Sequence, residues 1–412
     1  GARTCAIGYW LMPVSMPPVL SALAAMLAVQ LLISLASTAT PVLAPLAASD
    51  FGVAPHLVGY YVSIVYGAAA LTGAASGAYI LRYGAVRVSQ VCLVFCAASM
   101  ALLASGQGFL LPLAAIAMGV AYGPTTPASS QLLAQHAPRD RTSVVFSLKQ
   151  TGVPIGNALA GAILPGAALA GGWRGAALGV ALVCLVLAAA LQPLRARFDT
   201  SRQSGARIRL RAAIVEPLAL VWRTPAVRRL ALVSLGYAGM QVSLGTFLVV
   251  YLHDYLGLEV VAAGLMLAAA QVGGVVGRIV WGLVADRWGD PVRLLGMLGL
   301  AMAAAALLTA AFTAAWPLAL VMAVCVAFGA TAVGWNGVYL AHMAGLAIPG
   351  RAAELTGGTS LFTFGGVMIA PAAVSAVLSL GGSYALAFIV LALVTLAGGV
   401  TCLRLATPPA AG

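Results

Sequence analysis

The stretch "GLVADRWGDPVR", from Gly282 to Arg293, is a short polar segment between two long apolar runs. An earlier segment, "GAYILRYGAVR" from Gly77 to Arg87, occupies the same position between two earlier runs. Aligning the two gives an offset of 205 residues, which pairs Gly52 with Gly257, Gly59 with Gly264, Gly77 with Gly282, Arg82 with Arg287 and Gly84 with Gly289. The chain therefore consists of two structural repeats in the same order along the sequence.

Apolar runs of about 20 residues, long enough to cross the hydrocarbon core of a bilayer, occur along the whole chain. Twelve are predicted and are numbered here as spans 1 to 12: 20–47, 57–80, 87–107, 109–135, 143–168, 173–194, 228–252, 260–284, 291–313, 317–346, 353–378 and 383–406. A content of 62% hydrophobic and 7% charged residues is too apolar for a soluble fold. Such spans must be helices, because strands would leave backbone groups unpaired in lipid, and the alternation of a membrane barrel is absent. We predict an all-α membrane protein.

The longest polar interval lies between spans 6 and 7 and divides the chain into two six-helix bundles. The predicted organisation is a lead at 1–19, a first bundle at 20–194, a linker at 195–227, a second bundle at 228–406 and a tail at 407–412. The linker is basic and amphipathic, which is typical of a segment on a membrane surface. The lead lacks the basic start and long apolar core of a secretory signal.

The 21 basic residues fall mainly at one set of span ends. If the spans alternate, one side, called here the basic face, has Arg82, Arg87, Arg139, Arg141, the 195–229 stretch, Arg287, Arg293, Arg351 and Arg404. The opposite face has Arg174 with Asp50, Asp254 and Glu259. The positive-inside rule makes the basic face cytoplasmic, together with both termini. The net charge of +12 therefore reports topology and does not indicate nucleic-acid binding.

The segment from Gly282 to Arg293 resembles the loop signature G-x-x-x-D-R-x-G-x-x-x-R, which follows the second span of each half in the major facilitator superfamily. The resemblance covers the whole chain through the span count, the half repeat and the linker. It implies a monomeric secondary transporter of the bacterial inner membrane, with its substrate site between the two halves. In the first half the position of the acid is occupied by Leu81.

The resemblance also implies a cytoplasmic latch in this motif. Glycines allow close helix approach, while the acid and the arginines form ion pairs and cap helix ends in one conformational state. The residues assigned to it are Gly77, Arg82, Gly84, Gly282, Asp286, Arg287, Gly289 and Arg293. Because Leu81 is not acidic, the first-half latch is expected to be weaker or to be closed by another residue. The alternative is that these charges only set the topology.

An arginine lies deep in span 8, within "QVGGVVGRIVWG". Arg278 precedes Asp286 by eight residues, which places it about 12 Å inside the basic face. An ionisable residue there costs about 2.5 to 3.5 kcal/mol to insert and should face protein or a water-filled cavity. All nine acidic residues fall at span ends or in loops, so no intramembrane carboxylate neutralises Arg278. We predict that a transported anion does. The alternative is that backbone carbonyls satisfy Arg278 where the glycine-rich span bends.

A second cation, Lys149 in span 5, follows Arg141 by eight residues and lies at a similar depth. The resemblance implies that spans 5 and 8 are neighbours, which would place Lys149 and Arg278 on facing walls of one cavity. An arginine at this place in span 8 also resembles the anion-coordinating arginine of monocarboxylate, oxalate/formate and nitrate members. Nitrate members have a partner arginine in span 2, where Gly73 stands here, so an organic anion is favoured. The alternative is that Lys149 extends along its methylenes toward the basic face.

Other polar residues share helix faces with these cations. The predicted substrate site comprises Arg278, Lys149, Asn157, Gln271, Trp335, Asn336 and Tyr339, an amphipathic set suited to a small carboxylate with an apolar or aromatic body. Each polar residue alone is also compatible with an ordinary helix–helix hydrogen bond. His342 in span 10 is the candidate for proton coupling. Protons carried on the substrate and exchange for a counter-anion are the alternatives.

Several classes of function are disfavoured by what the sequence lacks. It has no P-loop, no HExxH motif and no cysteine spacing typical of a metal site, which argues against ATP drive, an intramembrane enzyme and a bound metal or cofactor. The leading prediction is a secondary transporter of a small organic anion, coupled to protons or a counter-anion. A drug or metabolite exporter of the same fold and a non-transporting membrane sensor are the alternatives.

Overall fold

The computed structural model describes residues 18–136, 145, 148–200, 210–346 and 352–406, and this part of the chain contains helices and no strand. Eleven of its helical segments are long and apolar enough to cross a membrane. One of them, Leu148–Ala190, loses helical geometry at Gly172, where φ is +77°. The two sides of this break correspond to the predicted spans 5 and 6. The predicted all-helical architecture is therefore confirmed, and its twelve spans are consistent with the helices observed.

The helices begin and end near the predicted edges. Spans 1 to 4 are Pro18–Ala47, Val58–Tyr83, Ala85–Ala104 and Leu111–His136; spans 5 and 6 share Gly152–Ala190; spans 7 to 9 are Pro225–Asp254, Val260–Trp288 and Pro291–Ala310; spans 11 and 12 are Ala352–Ser379 and Tyr384–Leu405. Span 10 consists of two pieces, Leu318–Ala332 and Trp335–Gly345. Of two further helices, Gln192–Phe198 crosses the predicted boundary between the first bundle and the linker, and Leu210–Arg223 lies in the predicted linker. Most of the lead, the tail, Arg139, Arg141 and Arg351 lie outside the described residues.

Glycines that the repeat pairs in sequence have matching backbone roles. Gly84 and Gly289 both have positive φ, +93° and +67°, and so do Gly52 and Gly257, at +66° and +71°. This left-handed region favours glycine, because a Cβ clashes with the backbone there. Each member of these pairs turns the chain at the end of a span, so the repeat is present in the backbone as well as in the sequence.

The paired glycines Gly59 and Gly264 bring the two halves into contact. A Cβ on Gly59 in span 2 would overlap the carbonyl oxygen of Pro371 in span 11. A Cβ on Gly264 in span 8 would overlap the carbonyl oxygen of Gly161 in span 5. Both contacts lie on the side of the opposite face, and the small residues there allow the backbones to approach closely. Nearer the basic face, the same helices border a cavity.

Candidate functional site

A cavity of about 480 Å³ lies between the two halves, in the middle and basic-face part of the spans. Its walls come from spans 2, 4 and 5 of the first half and spans 7, 8, 10 and 11 of the second. Its charged and polar wall residues include Tyr66, Tyr122, Thr126, Gln150, Gln241, Arg278 and Asn336. The site is therefore shared between the repeats and has room for a small organic solute.

Arg278 bridges the two halves through backbone carbonyl oxygens. Its Nε donates to Val333 O at 3.1 Å, and its Nη1 donates to Gln150 O at 3.0 Å. Gln150 O is free to accept because the residue four positions later is Pro154, which has no N–H to close a helical bond. Val333 lies at the break between the two pieces of span 10. Local departures from regular helix thus supply both acceptors.

These two bonds orient the guanidinium without neutralising it. No acidic side chain is present in the wall of the cavity, as far as the described residues form it. The ion pair that the described residues do form joins Arg174 to Asp50 at 3.1 Å, at the opposite face. A guanidinium has five N–H groups, so donors remain for a ligand after two carbonyl bonds. Carbonyl oxygens thus do bind Arg278, but they belong to spans 5 and 10 and not to a bend in the glycine-rich span 8. The formal charge is still unmatched within the described wall.

Lys149 lies outside the described wall of this cavity. Its side chain is 1% exposed, and its Nζ donates to Gln150 Oε1 at 3.1 Å. It is the neighbouring Gln150 that reaches the cavity. The structure therefore places Lys149 close behind the cavity wall and does not bring it onto a surface facing Arg278.

Asn157 and Gln271 lie together in a second, smaller space. This chamber of about 70 Å³ adjoins the cavity on the side of the opposite face. Thr38 Oγ1 donates to Asn157 Oδ1 at 2.8 Å. Tyr66 and Tyr122 line both the chamber and the cavity, and their rings meet edge to face with centroids 5.4 Å apart. The predicted polar set is thus divided between two adjacent spaces, and the tyrosine pair is part of the wall of both.

The residues predicted in span 10 separate in the structure. Asn336 lines the cavity. Trp335 and Tyr339 are buried and pack within the second half, where the Trp335 ring meets Tyr237 edge to face with centroids 5.5 Å apart. His342 is half-buried and lies outside the described cavity wall. The turn at 333–334 rotates the second piece of the span, which places Asn336 toward the cavity and the two aromatic rings away from it.

The latch residues lie at the basic face. Asp286 and Arg287 are exposed, and the ion pairs found between described residues do not include them. In the second half Asp290 caps span 9, its Oδ1 accepting from Arg293 N at 2.9 Å. In the first half Asp199 is 4% exposed and caps span 3, accepting from Val86 N at 3.0 Å and from the next amide at 2.9 Å.

The sequence analysis did not single out Asp199 or several polar wall residues, among them Gln150, Gln241 and Tyr66. The last three are polar side chains inside apolar spans, which was a usable signal. The sequence contains no comparable signal for Asp199, because the amide of Val86 that it caps is 113 residues away in the chain. Its carboxylate occupies the space that a Cβ on Gly84 would need.

Comparisons with known proteins agree with this architecture. The sequence profile described as Major Facilitator Superfamily matches residues 26–357. The fold is similar to that of a bacterial homolog of the human lysosomal transporter Spinster in an inward-facing, unoccupied conformation, with a TM-score of 0.73 and 15% identity over 96% of this chain and 100% of that one.

A second similar structure is the nucleoside transporter NupG, with a TM-score of 0.75 and 14% identity over 93% of this chain and 99% of that one. A search of curated protein sequences gives no match. At these identities the structural likeness shows the fold, and the profile shows the family. The chain belongs to the Major Facilitator Superfamily, and it is a multi-pass membrane transporter and not an enzyme.

Proposed function

We propose that this protein is a secondary active transporter of a small organic anion, a carboxylate, across the bacterial inner membrane. The observation that carries the proposal is Arg278, a fixed cation on the wall of the cavity between the halves, with no acidic side chain among the described residues of that wall. In a low-dielectric setting an unmatched charge is costly. A bound anion removes that cost, which makes carboxylate binding favourable at this site.

The chemistry of the arginine matches a carboxylate. Its planar guanidinium can donate two parallel hydrogen bonds to the two carboxylate oxygens. Because Val333 O and Gln150 O already hold Nε and Nη1, little side-chain entropy is lost when the anion arrives. Gln241 and Asn336 on the same wall can hydrogen-bond the rest of the solute. Lys149, buried beside Gln150, raises the positive potential of the cavity without contacting the anion in this conformation.

The position of Arg278 also links binding to movement. Its bond to Gln150 O joins span 8 of the second half to span 5 of the first. Anion binding beside this bond therefore acts at the surface where the two bundles must separate and rejoin during alternating access. With the basic face in the cytoplasm, the cavity delivers or collects its anion on that side. Protons, through His342 or the solute, or a counter-anion provide the driving gradient.

Ligand binding to the purified protein tests the proposal. Monocarboxylates, dicarboxylates and cationic dyes are screened by thermal shift, because a ligand that binds the folded state raises its melting temperature. At least one carboxylate should raise it, and the dyes should not. Arg278→Gln should abolish the rise in melting temperature caused by the carboxylate, since it removes both the positive charge and the paired N–H donors of the guanidinium. Lys149→Met should weaken binding by a smaller factor, because that ammonium is behind the wall.

The matched control is Arg404→Gln, which removes the same charge from an exposed position at the end of span 12. It should bind the carboxylate as the wild type does. The same ligand should exchange across proteoliposomes containing wild-type protein and not across those containing Arg278→Gln. A carboxylate shift that persists in Arg278→Gln, or binding of cationic dyes alone, would overturn the proposal.

A further inference from the structure

The chamber of about 70 Å³ contains polar side chains whose hydrogen-bonding groups are not all satisfied within the described part of the protein. Gln271 is 2% exposed, and its Oε1 is buried without a hydrogen-bond partner among the described residues. Buried side-chain amides are normally satisfied, so an unsatisfied one requires an explanation. Asn157 uses Oδ1 to accept from Thr38, which leaves its NH₂ group for another partner. The chamber thus offers both an acceptor and donors.

The described wall of the chamber is also uncharged. It contains no Asp, Glu, Lys or Arg. A second charged group would be desolvated there without a counterion, which is strongly unfavourable. A hydroxyl or a carboxamide, by contrast, can both donate and accept. At about 70 Å³ the chamber holds a group of that size.

We infer that the chamber is a subsite for a neutral hydrogen-bonding group at the far end of the substrate, whose single carboxylate is bound at Arg278. The inference rests on the proposed function and deepens it. The substrate class becomes a monocarboxylate with a terminal hydroxyl or carboxamide. Dicarboxylates and acids with a terminal ammonium are excluded, because each would bring a second charge into an uncharged space.

The spacing of the two sites sets the length of the solute. Gln271 and Arg278 lie on one face of span 8, seven residues apart, which is about 10 Å along the helix axis. Both side chains lean toward the N-terminus of the helix, so the separation of their polar ends stays of this order. The rings of Tyr66 and Tyr122 line both spaces. The connecting part of the solute therefore passes beside aromatic surface and should be apolar.

The test uses straight-chain acids from butanoate to octanoate, so that the dependence of affinity on chain length measures the distance between Arg278 and the chamber. Each length is measured in three forms, with a terminal methyl, a terminal hydroxymethyl and a terminal carboxylate, by calorimetry on the purified full chain. At the best length the hydroxy acid should bind about fivefold more tightly than the methyl-terminated acid, the size of one net hydrogen bond. The dicarboxylate should bind more weakly than both.

Two substitutions locate the effect in the chamber. Gln271→Met keeps the length of the side chain and removes its amide, so the ratio of hydroxy-acid to methyl-acid affinity should fall to about one. Gly245→Ala adds a methyl group whose nearest neighbour is Gln271 Nε2 at 4.0 Å, so it should fold normally and narrow the chamber. It should reduce hydroxy-acid affinity. The matched control, Gly179→Ala in span 6, adds a methyl where nothing lies within 4 Å and should keep the wild-type ratio.

The outcomes separate this inference from the proposal on which it rests. If no acid of any form binds, the proposed function and the subsite fail together. If the acids bind through Arg278 and the terminal hydroxyl gives no advantage at any length, the subsite alone fails. It also fails if a dicarboxylate binds most tightly, or if Gln271→Met leaves the hydroxyl advantage intact.

Discussion

After span 2 the chain turns at Gly84, and after span 8 it turns at Gly289, with positive φ at both positions. The helix that follows each turn needs an acceptor for its first amides. In the second half Asp290, next to the turn, supplies it. In the first half Asp199 supplies it from beyond span 6. Both halves thus have a glycine with positive φ at the turn, and they differ in where the cap comes from.

This difference shows which parts of a repeat are constrained. The turn depends on backbone conformation, which only glycine adopts cheaply, so the residue type is retained. The cap depends only on an oxygen near the amides, so any segment that arrives there can provide it. A local cap stabilises its own helix. A distant cap also holds the chain after span 6 against the start of span 3.

A second difference between the halves lies at the cavity. Arg278 in span 8 and Gly73 in span 2 are equivalent by the repeat offset. Gly73 lets span 2 approach span 4 closely, since a Cβ there would lie 3.1 Å from Gly123 O. Arg278 instead places a guanidinium on the cavity wall. At these equivalent positions, the second half places a charge on the cavity wall and the first half allows two helices to pack closely.

The largest effect is expected where the halves are most alike. Gly59→Ala and Gly264→Ala should each destabilise the protein by about 1 to 3 kcal/mol, because the added Cβ overlaps a backbone carbonyl of the other half. Melting temperatures of the purified variants measure this. The paired glycines Gly77 and Gly282 have nothing within 4 Å of an added Cβ, so their alanine variants should melt as the wild type does or slightly higher. Unequal losses at Gly59 and Gly264 would break the equivalence of the two contacts.

A smaller effect should distinguish the two caps. Asp199→Ala should cost about 1 to 2 kcal/mol, since it leaves two amides of span 3 without their acceptor. Asp290→Ala should cost about 1 kcal/mol or less, because one amide is affected and the site is near solvent. Thermal melting of the two variants shows which substitution costs more stability. Equal losses would show that the cap from the linker does nothing beyond the local one.

The smallest effect concerns the opposite face, where the first half has an ion pair between Arg174 and Asp50 at 3.1 Å. Asp50 Oδ2 also accepts from Trp173 Nε1 at 3.0 Å. The two charged side chains are 51% and 38% exposed, so Asp50→Asn should cost less than about 1 kcal/mol. The loss should shrink as salt is raised, because screening weakens an exposed pair. A larger, salt-independent loss would assign the contact a role in closing that face.

Much of the architecture could be predicted because the bilayer imposes it locally. Span edges follow from apolar runs and their polar ends, and the structure places them within a few residues of the predictions, as at Val260–Trp288. The depth of Arg278 and the lack of acids inside the spans were likewise properties of one segment at a time. The contacts of the predicted site residues could not be predicted in this way, because each contact depends on which neighbouring helix covers that face.

What the chain determined by itself is therefore the set of helices, their repeat and the presence of an unmatched cation within a span, since hydrophobicity and backbone pairing act segment by segment. Only the tertiary structure decided that Gln150 and not Lys149 reaches the cavity, that Trp335 packs against Tyr237 with Tyr339 beside it, and that Asp199 caps a distant helix. Those outcomes depend on helix rotation and on breaks such as that at 333–334. These are set by the packing of all the helices together.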